Sequence, residues 1–433
     1  MKQKITKLIS AFRSTSRTDF IKVTLWAGVT TIVKVLSGIV STKFVAWTVG
    51  TSGIALVGNF LNSVNIFSAL STGGIGQGVT KLLAENYDKP ERQKEIIGNA
   101  VRITLVSTLF FSIGIILFNS VYARFVFQGT QYNSVIILFG ISIVLYSYNS
   151  LLIYIINGFK QYKTFVRVNA TSSVASLLVT VVLVYFWNVY GALLATIASQ
   201  SLIIGFALYY VRKEHWVSYL FSPSPASRKW IKTLLGFTVM AIVTAICMPV
   251  AQLLVRTHLL KEFSGYTAGI WESVNRISAM YLLVLTTAIS TYYLPRLSEI
   301  RLTDDLRKEI FKTMKILYPA LLVICVTIYF CRHFIITTFL SPEFKPAEEL
   351  FFFQVIGDFF RVASLCVAFL FWAKNLTIPF IITEIFAAIC FAVGAHLLTE
   401  KYEAEGVVIA YAGTYLLYFI VVNLIFRKLL YRR

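Results

Sequence analysis

The sequence predicts an all-α polytopic membrane protein with twelve transmembrane helices in two six-helix lobes, related by a pseudo-two-fold axis along the membrane normal. Three observations lead there. Apolar runs long enough to cross about 30 Å of hydrocarbon recur along nearly the whole chain. Lys and Arg gather on alternate connecting segments. Markers in the first half return in the second at nearly constant spacing.

The balance of residues supports this class. Of 433 residues, 57% are hydrophobic and 14% charged, with a mean hydropathy of +0.73, which leaves little room for a soluble domain. A net charge of +20 in a soluble protein would suggest nucleic acid. Here the bias of the loops accounts for it, and no nucleic-acid partner is expected. Cys247, Cys325, Cys331, Cys366 and Cys390 lie in or beside apolar spans. An odd number so placed argues for packing rather than a disulfide framework.

Residues 1–19 carry Lys2, Lys4, Lys7, Arg13 and Arg17, with Ile5, Leu8, Ile9 and Phe12 at helical spacing. They read either as a short amphipathic helix on an anionic leaflet or as a frayed basic tail, and not as a cleavable signal peptide. Spans follow at roughly 20–46, 52–86, 93–118, 133–158, 163–187, 190–212, 230–258, 267–297, 307–331, 346–372, 376–399 and 405–428. With the N-terminus in the cytoplasm, the inside segments hold clusters such as Lys89-Arg92-Lys94, Arg228-Lys229-Lys232 and Arg307-Lys308-Lys312-Lys315. The outside segments hold only Arg124, Arg256, Lys261, Arg332, Lys345 and Lys401. Both termini are therefore expected inside.

The repeat is ungapped where it is clearest. Gly158 to Gly191 spans the same interval as Ala373 to Gly406, and Arg212-Lys213 falls on Arg427-Lys428, a displacement of 215 residues. Gly53-Ile54 and Asn59 echo Gly269-Ile270 and Asn275. Six spans per half give both halves one orientation. Transporters built so bind near the midplane between halves and work by alternating access. The expected division is a basic segment 1–19, an N-lobe 20–213, a linker 214–229 and a C-lobe 230–433.

Charges inside spans are the candidate site. Lys34 lies in the middle of the run from Trp26 to Val49, with no acid on the same stretch. A lone cation at that depth costs about 2.5–3.5 kcal/mol on insertion scales and so faces protein or a wet cavity. Lys43, nearer the span end, reads as a snorkeller. Arg276 follows Glu272 at i+4, either as an intrahelical pair or as a substrate cation. Asp358 and Arg361 stand at i, i+3 and either pair or, with Glu384, form a proton- or cation-linked switch. Together Lys34, Arg276 and Arg361 predict a chamber for an anion. Asn59, Asn62 and Asn65 suit sugar hydroxyls or interhelical hydrogen bonds equally. Trp271, Tyr281, Tyr292 and Tyr293 suit ring stacking or an interfacial belt. The glycines of Thr72-Gly-Gly-Ile-Gly-Gln-Gly fail the phosphate-loop spacing and read as close packing or a hinge. Pro249 and Pro319 sit inside second-half spans, where they can kink the helix. There is no metal-ligand spacing and no nucleophile–base pattern, so neither a cofactor nor enzymatic activity is expected.

The segments "TLWAGVTTIVKVLSGIVSTKFVAW", "GFTVMAIVTAICMPVA", "GIWESVNRISAMYLL", "YYLPRLSEI" and "FFFQVIGDFFRV" resemble the Wzx flippases of bacterial polysaccharide assembly, nearest to those serving enterobacterial common antigen. The likeness runs from about residue 22 to the end. It implies the multidrug/oligosaccharidyl-lipid/polysaccharide exporter fold around a cationic cavity. It also implies a substrate of undecaprenyl pyrophosphate carrying an oligosaccharide, an O-antigen or common-antigen repeat unit. Movement would be from the cytoplasmic to the periplasmic leaflet of the inner membrane, by a monomer working beside a polysaccharide polymerase and chain-length regulator. Lys34, Lys43 and Asp358 lie in matched segments; Arg276 rests on the physical argument alone. A cation-coupled multidrug exporter of the same superfamily is the alternative, but organic cations call for an acidic cavity and the first span offers Lys34. A major-facilitator transporter lacks its loop signature in Glu85–Gln93, and a polymerase or ligase lacks its large outside loops.

Overall fold

The computed structural model describes the backbone of residues 2–431 except Leu202, 222–224, Arg301 and Asn375. Side chains are described from Thr31 onward, apart from Tyr162, Gln200, Tyr431 and several positions between 287 and 299. The amphipathic side chains expected over 1–19, and the side chain of Tyr292, lie outside the described residues.

Among the described residues there is no strand. The helices are α1 (Lys2–Ser71), α2 (Gly76–Glu85), α3 (Pro90–Leu117), α4 (Asn119–Phe127), α5 (Asn133–Gly158), α6 (Tyr162–Ser201), α7 (Ile203–Val211) and α8 (Val217–Phe221). They continue with α9 (Arg228–Glu262), α10 (Gly265–Glu299), α11 (Thr303–Phe330), α12 (Arg332–Phe339), α13 (Ala347–Ala373), α14 (Thr377–Ile425) and α15 (Arg427–Tyr431). Local sequence sets several starts. Pro90 opens α3 with Glu91 in the first turn, Asp304 and Asp305 open α11, and the Ser264 hydroxyl accepts from the Thr267 amide at 3.0 Å to cap α10. Among the described residues, eight stretches are long and apolar enough to cross a membrane, and the protein is a multi-pass membrane protein.

Three of the longest helices are broken. In α6 the break is at Trp187 and Asn188, the latter at φ 47°, ψ −124°. In α14 it is at Glu403, φ 46°, ψ −126°. These two positions are 215 residues apart, the displacement of the sequence repeat. A side chain on Gly191 would run into the backbone of Leu183 and Val184, and one on Gly406 into that of Leu398 and Thr399, the same displacement again. Each chain therefore doubles back so tightly that only hydrogen fits at the crossing. Thr171 Oγ1 to Tyr210 Oη at 3.1 Å and Ser176 Oγ to Ser199 O at 3.4 Å link the two arms of the first turn. The third break is Gly50, φ 67°, ψ −170°. Gly38 touches Met280 while Gly58 abuts Glu272. The twenty residues between Gly38 and Gly58 would span about 30 Å in one straight helix, whereas Met280 and Glu272 are about two turns apart on α10. So α1 folds back at Gly50 and clasps α10 with both arms.

The span expected over 52–86 ends instead at Ser71. Gly73 and Gly74 take φ of 68° and 63°, turning the chain before α2 begins. Thr238 Oγ1 on α9 donates to Gly73 O at 2.7 Å, so the glycines serve a turn that α9 seals. Residues on either side of 222–224 are anchored. Trp216 is fully buried and stacks on Phe159 at 5.5 Å; beyond it, the Ser227 amide and Trp230 Nε1 donate to Asn99 (3.0 Å) and Glu95 (2.7 Å) on α3. One buried core joins both arms of α1 to α4, α9, α10, α13 and α14, among others, and a smaller one joins chiefly α2, α3, α5 and α7.

The matched crossings predict that Gly191→Val and Gly406→Val each destabilise the fold, by about 1–3 kcal/mol for overpacking alone. Thermal unfolding in detergent checks this, with Gly205→Val, where a Cβ meets open space, as the tolerated control.

Candidate transport site

The intramembrane polar residues fall into three groups. The first lines a cavity of about 540 Å³ between the first arm of α1, α5 and α6. Lys34, Ser37 and Ser41 come from α1, Tyr146, Asn149 and Asn157 from α5, and Asn169, Ser172 and Ser176 from one face of α6. Lys34 is the only charged residue among the lining residues. Asn149 and Ser172 are 6% and 4% exposed, yet Asn149 Oδ1 and Ser172 Oγ have no hydrogen-bond partner among the described residues. Buried polar groups are ordinarily paired. Both residues line the cavity, a wall of amides and hydroxyls that suits a ligand rich in hydroxyls, and Lys34 supplies a counter-charge for an anionic part of it.

The second group ties α1 to α9 and α10. Glu272, 3% exposed, pairs through one carboxylate oxygen with Arg276 Nε at 2.9 Å and through the other with Arg256 Nη2. Arg256 Nη1 also donates to Asn59 Oδ1 at 3.1 Å, and the guanidinium lies 5.1 Å from the Trp271 ring centre. Asn59 Nδ2 in turn donates to Val126 O at 3.0 Å. Asn62 reaches Gln252 at 3.4 Å, so both asparagines act as interhelical bonds here; Asn65 is exposed. Arg256, counted as a loop charge from sequence, lies inside α9 and is 1% exposed. The reason is local: α9 runs to Glu262, so Arg256 falls nearly two turns before the helix end.

The third group centres on Asp358, fully buried in α13. It accepts from Ser278 at 2.7 and 2.8 Å, from Tyr411 at 2.8 Å, from Gln354 at 3.3 Å and from Tyr281. Arg361 does not meet Asp358 directly. Its Nη1 donates to Tyr411 Oη at 3.2 Å, so the phenol stands between the charges, and its guanidinium sits 5.4 Å from the Tyr415 ring centre. Tyr418 Oη donates to Glu384 at 3.1 Å. Of the aromatics that suited ring stacking or an interfacial belt, Trp271 and Tyr293 are 2% and 1% exposed, and Tyr281 is engaged by Asp358. They are packing residues.

Lys34, Arg276 and Arg361 thus belong to three different contact sets. Sequence reasoning found the cations but missed Asn149, Ser172 and Arg256. Recurrence of Asn and Ser on one face of α6 (Asn169, Ser172, Ser173, Ser176) was the available signal for the cavity wall.

A family of proteins described as polysaccharide biosynthesis protein matches residues 20–301. The chain belongs to this family. The chain is also 29% identical over 408 residues to the lipid III flippases of Escherichia coli strain K12 and Shigella flexneri, covering 92% of this chain and 96% of theirs. Among solved structures, an inward-facing multidrug resistance MATE transporter of the MOP superfamily aligns with a TM-score of 0.76 at 14% identity, over 92% of this chain and 95% of that one. An outward-facing MATE transporter gives 0.68 at 17% identity over 94% of each chain. A MOP superfamily transporter from Pyrococcus furiosus gives 0.69 at 15%, over 95% and 96%. These likenesses establish the fold: an all-helical bundle like that of these transporters.

The Glu272 cluster carries an ordered prediction. Glu272→Gln leaves two buried guanidiniums facing each other and should lower stability by about 3–5 kcal/mol. Arg256→Met leaves Glu272 paired with Arg276, so its cost should be clearly smaller. Melting temperatures in detergent decide it; equal losses would refute the shared-carboxylate account.

Proposed function

We propose that the protein is a flippase that carries an undecaprenyl-pyrophosphate-linked oligosaccharide, of the O-antigen or enterobacterial common antigen kind, from the cytoplasmic to the periplasmic leaflet of the inner membrane. It is a transporter, not an enzyme. The observation that carries this reading is the Lys34 cavity, a membrane-embedded chamber walled by amides and hydroxyls with one cation. The near full-length likeness to lipid III flippases supports the choice of cargo.

The reading divides the chain into twelve spans. The breaks at Gly50, Asn188 and Glu403 double three of the eight long apolar stretches, and α10 adds the twelfth. The coincidence of turns at a displacement of 215 residues supports two equivalent lobes, 20–213 and 230–433, joined by 214–229, with both termini cytoplasmic.

The mechanism follows from the three groups. Lys34 attracts the diphosphate, where low dielectric makes each charge contact stronger than in water. Asn149, Ser172 and their neighbours exchange hydrogen bonds with sugar hydroxyls. Asn59, Arg256, Glu272 and Arg276 bind α1 to α9 and α10 and hold the periplasmic side shut. The diphosphate reaches Arg276 and competes with Glu272 for it, which loosens this tie and lets the lobes rock outward. Arg361, Asp358 and Glu384 form the coupling element: a proton or cation taken up by either carboxylate redistributes the Tyr411 and Tyr418 hydrogen bonds. The polyprenyl tail stays in lipid at the seam where Gly38 meets Met280. The protein works as a monomer and delivers product to a polymerase and chain-length regulator.

Reconstitution with a labelled lipid-linked oligosaccharide tests the scheme. Lys34→Ala should slow flipping at least about tenfold, equivalent to about 1.4 kcal/mol, and Asn149→Leu should slow it by a smaller factor. Parental rates in both would remove the cavity from the path. Glu384→Gln should abolish the pH dependence of the rate, and an unchanged profile would exclude it from coupling.

A further inference from the structure

The transport scheme leaves one face of α11 unused. Its first turns carry Arg307, Lys308, Lys312 and Lys315 with Phe311 and Ile316 around a groove of about 730 Å³, in which Asp304 is the one acid. Lys308, Lys312, Lys315 and Ile316 are exposed. Farther along the same helix, Leu322, Val326 and Phe330 form a second groove of about 260 Å³ with Phe352, Ile356 and Phe359 of α13, and its lining has no charge.

The two grooves lie on one face. Lys308, Lys315, Leu322 and Tyr329 follow one another at steps of seven residues, nearly two whole turns, so their direction drifts by only about 20° per step. The rise from Lys315 to Leu322 is about 10 Å, and to Phe330 about 22 Å. Half the hydrocarbon thickness is about 15 Å. A headgroup at the lysines therefore places a chain of the same molecule in the apolar groove. Clustered Lys and Arg at one membrane face attract anionic headgroups.

We propose that this face of α11 is a binding site for an anionic glycerophospholipid of the bilayer. Its phosphate sits among Lys308, Lys312 and Lys315, and one acyl chain runs along Leu322, Val326 and Phe330. A resident lipid fits better than cargo because α11 packs chiefly on α13, whereas the contacts of α1 with the second half are made mainly by α10 and α9. The site is independent of what the protein transports.

Native mass spectrometry of the full chain purified in detergent, titrated with phosphatidylglycerol, phosphatidylcholine and a polyprenyl diphosphate, tests it. Phosphatidylglycerol should bind in preference to phosphatidylcholine. The triple variant Lys308→Gln, Lys312→Gln, Lys315→Gln should weaken phosphatidylglycerol at least about tenfold, since each removes a cation that attracts the headgroup. Val326→Trp, which fills the apolar groove without touching charge, should weaken it too. Equal binding of the two phospholipids, or parental affinity in either variant, overturns the site. Preferential loss of the polyprenyl diphosphate instead overturns the assigned occupant. A parent that binds phosphatidylglycerol but flips nothing sinks the transport reading and leaves this one standing.

Discussion

The bundle depends on how a buried carboxylate is shared. Glu272 sits 3% exposed in α10 and answers two guanidiniums, one from its own helix and one from α9, while Asn59 of α1 takes a further donor of Arg256. Removing such charges from water costs several kcal/mol per ion, repaid only when the remaining donors and acceptors are met. The arrangement therefore exists in one relative placement of α1, α9 and α10. Slide α1 by one turn and Arg256 loses Asn59; separate α9 from α10 and an arginine is stranded. Polar pairing across helices, rather than apolar contact, distinguishes this packing from its alternatives, because lipid tails compete evenly for apolar surface.

The same logic explains why Asp358 is so heavily bonded. It has no guanidinium in direct contact, so hydroxyls from Ser278, Tyr281 and Tyr411 and the Gln354 amide replace its hydration. Arg361 is linked to it through Tyr411. A network relayed through a phenol can rearrange by rotating one hydroxyl, whereas a direct ion pair must break. That difference leaves the contacts among α10, α13 and α14 easier to rearrange than the Glu272 cluster, which ties α9 to α10 and, through Asn59, to α1.

What the sequence made legible follows from the physics of each signal. Spans are legible because hydrocarbon thickness imposes a length, and the repeat because turn geometry imposes residues. Gly191 and Gly406 cannot be replaced where backbones cross. Lys34 is legible because a solitary cation in an apolar run is expensive anywhere. Arg256 is not, since a linear count places it beside Lys261 at a span end, and only the course of α9 brings it against Glu272. Asn149 and Ser172 are equally silent. Ser and Asn in membrane helices ordinarily bond their own backbone or a neighbouring helix, as Ser173 does with Asn169 O at 2.8 Å. Their lack of a partner becomes visible only once α5 and α6 are set side by side. The turn at Gly73–Gly74 was hidden because the hydropathy of the run continues through it.

Two kinds of cationic feature emerge from one strongly basic chain. Lys34 lines a polar chamber with amides around it, a setting suited to holding an anion through several weak contacts. The cations at the start of α11 sit above an apolar groove on a helix that takes no part in the α1 seam, a setting that retains an amphiphile. The distinction lies in the company each charge keeps. A cation surrounded by hydrogen-bonding groups exchanges ligands because water and sugar compete for the same partners. A cation at the head of an apolar track holds a lipid because desolvating the chain adds to the charge attraction. Net charge alone, which loop bias already accounts for, separates neither from the other.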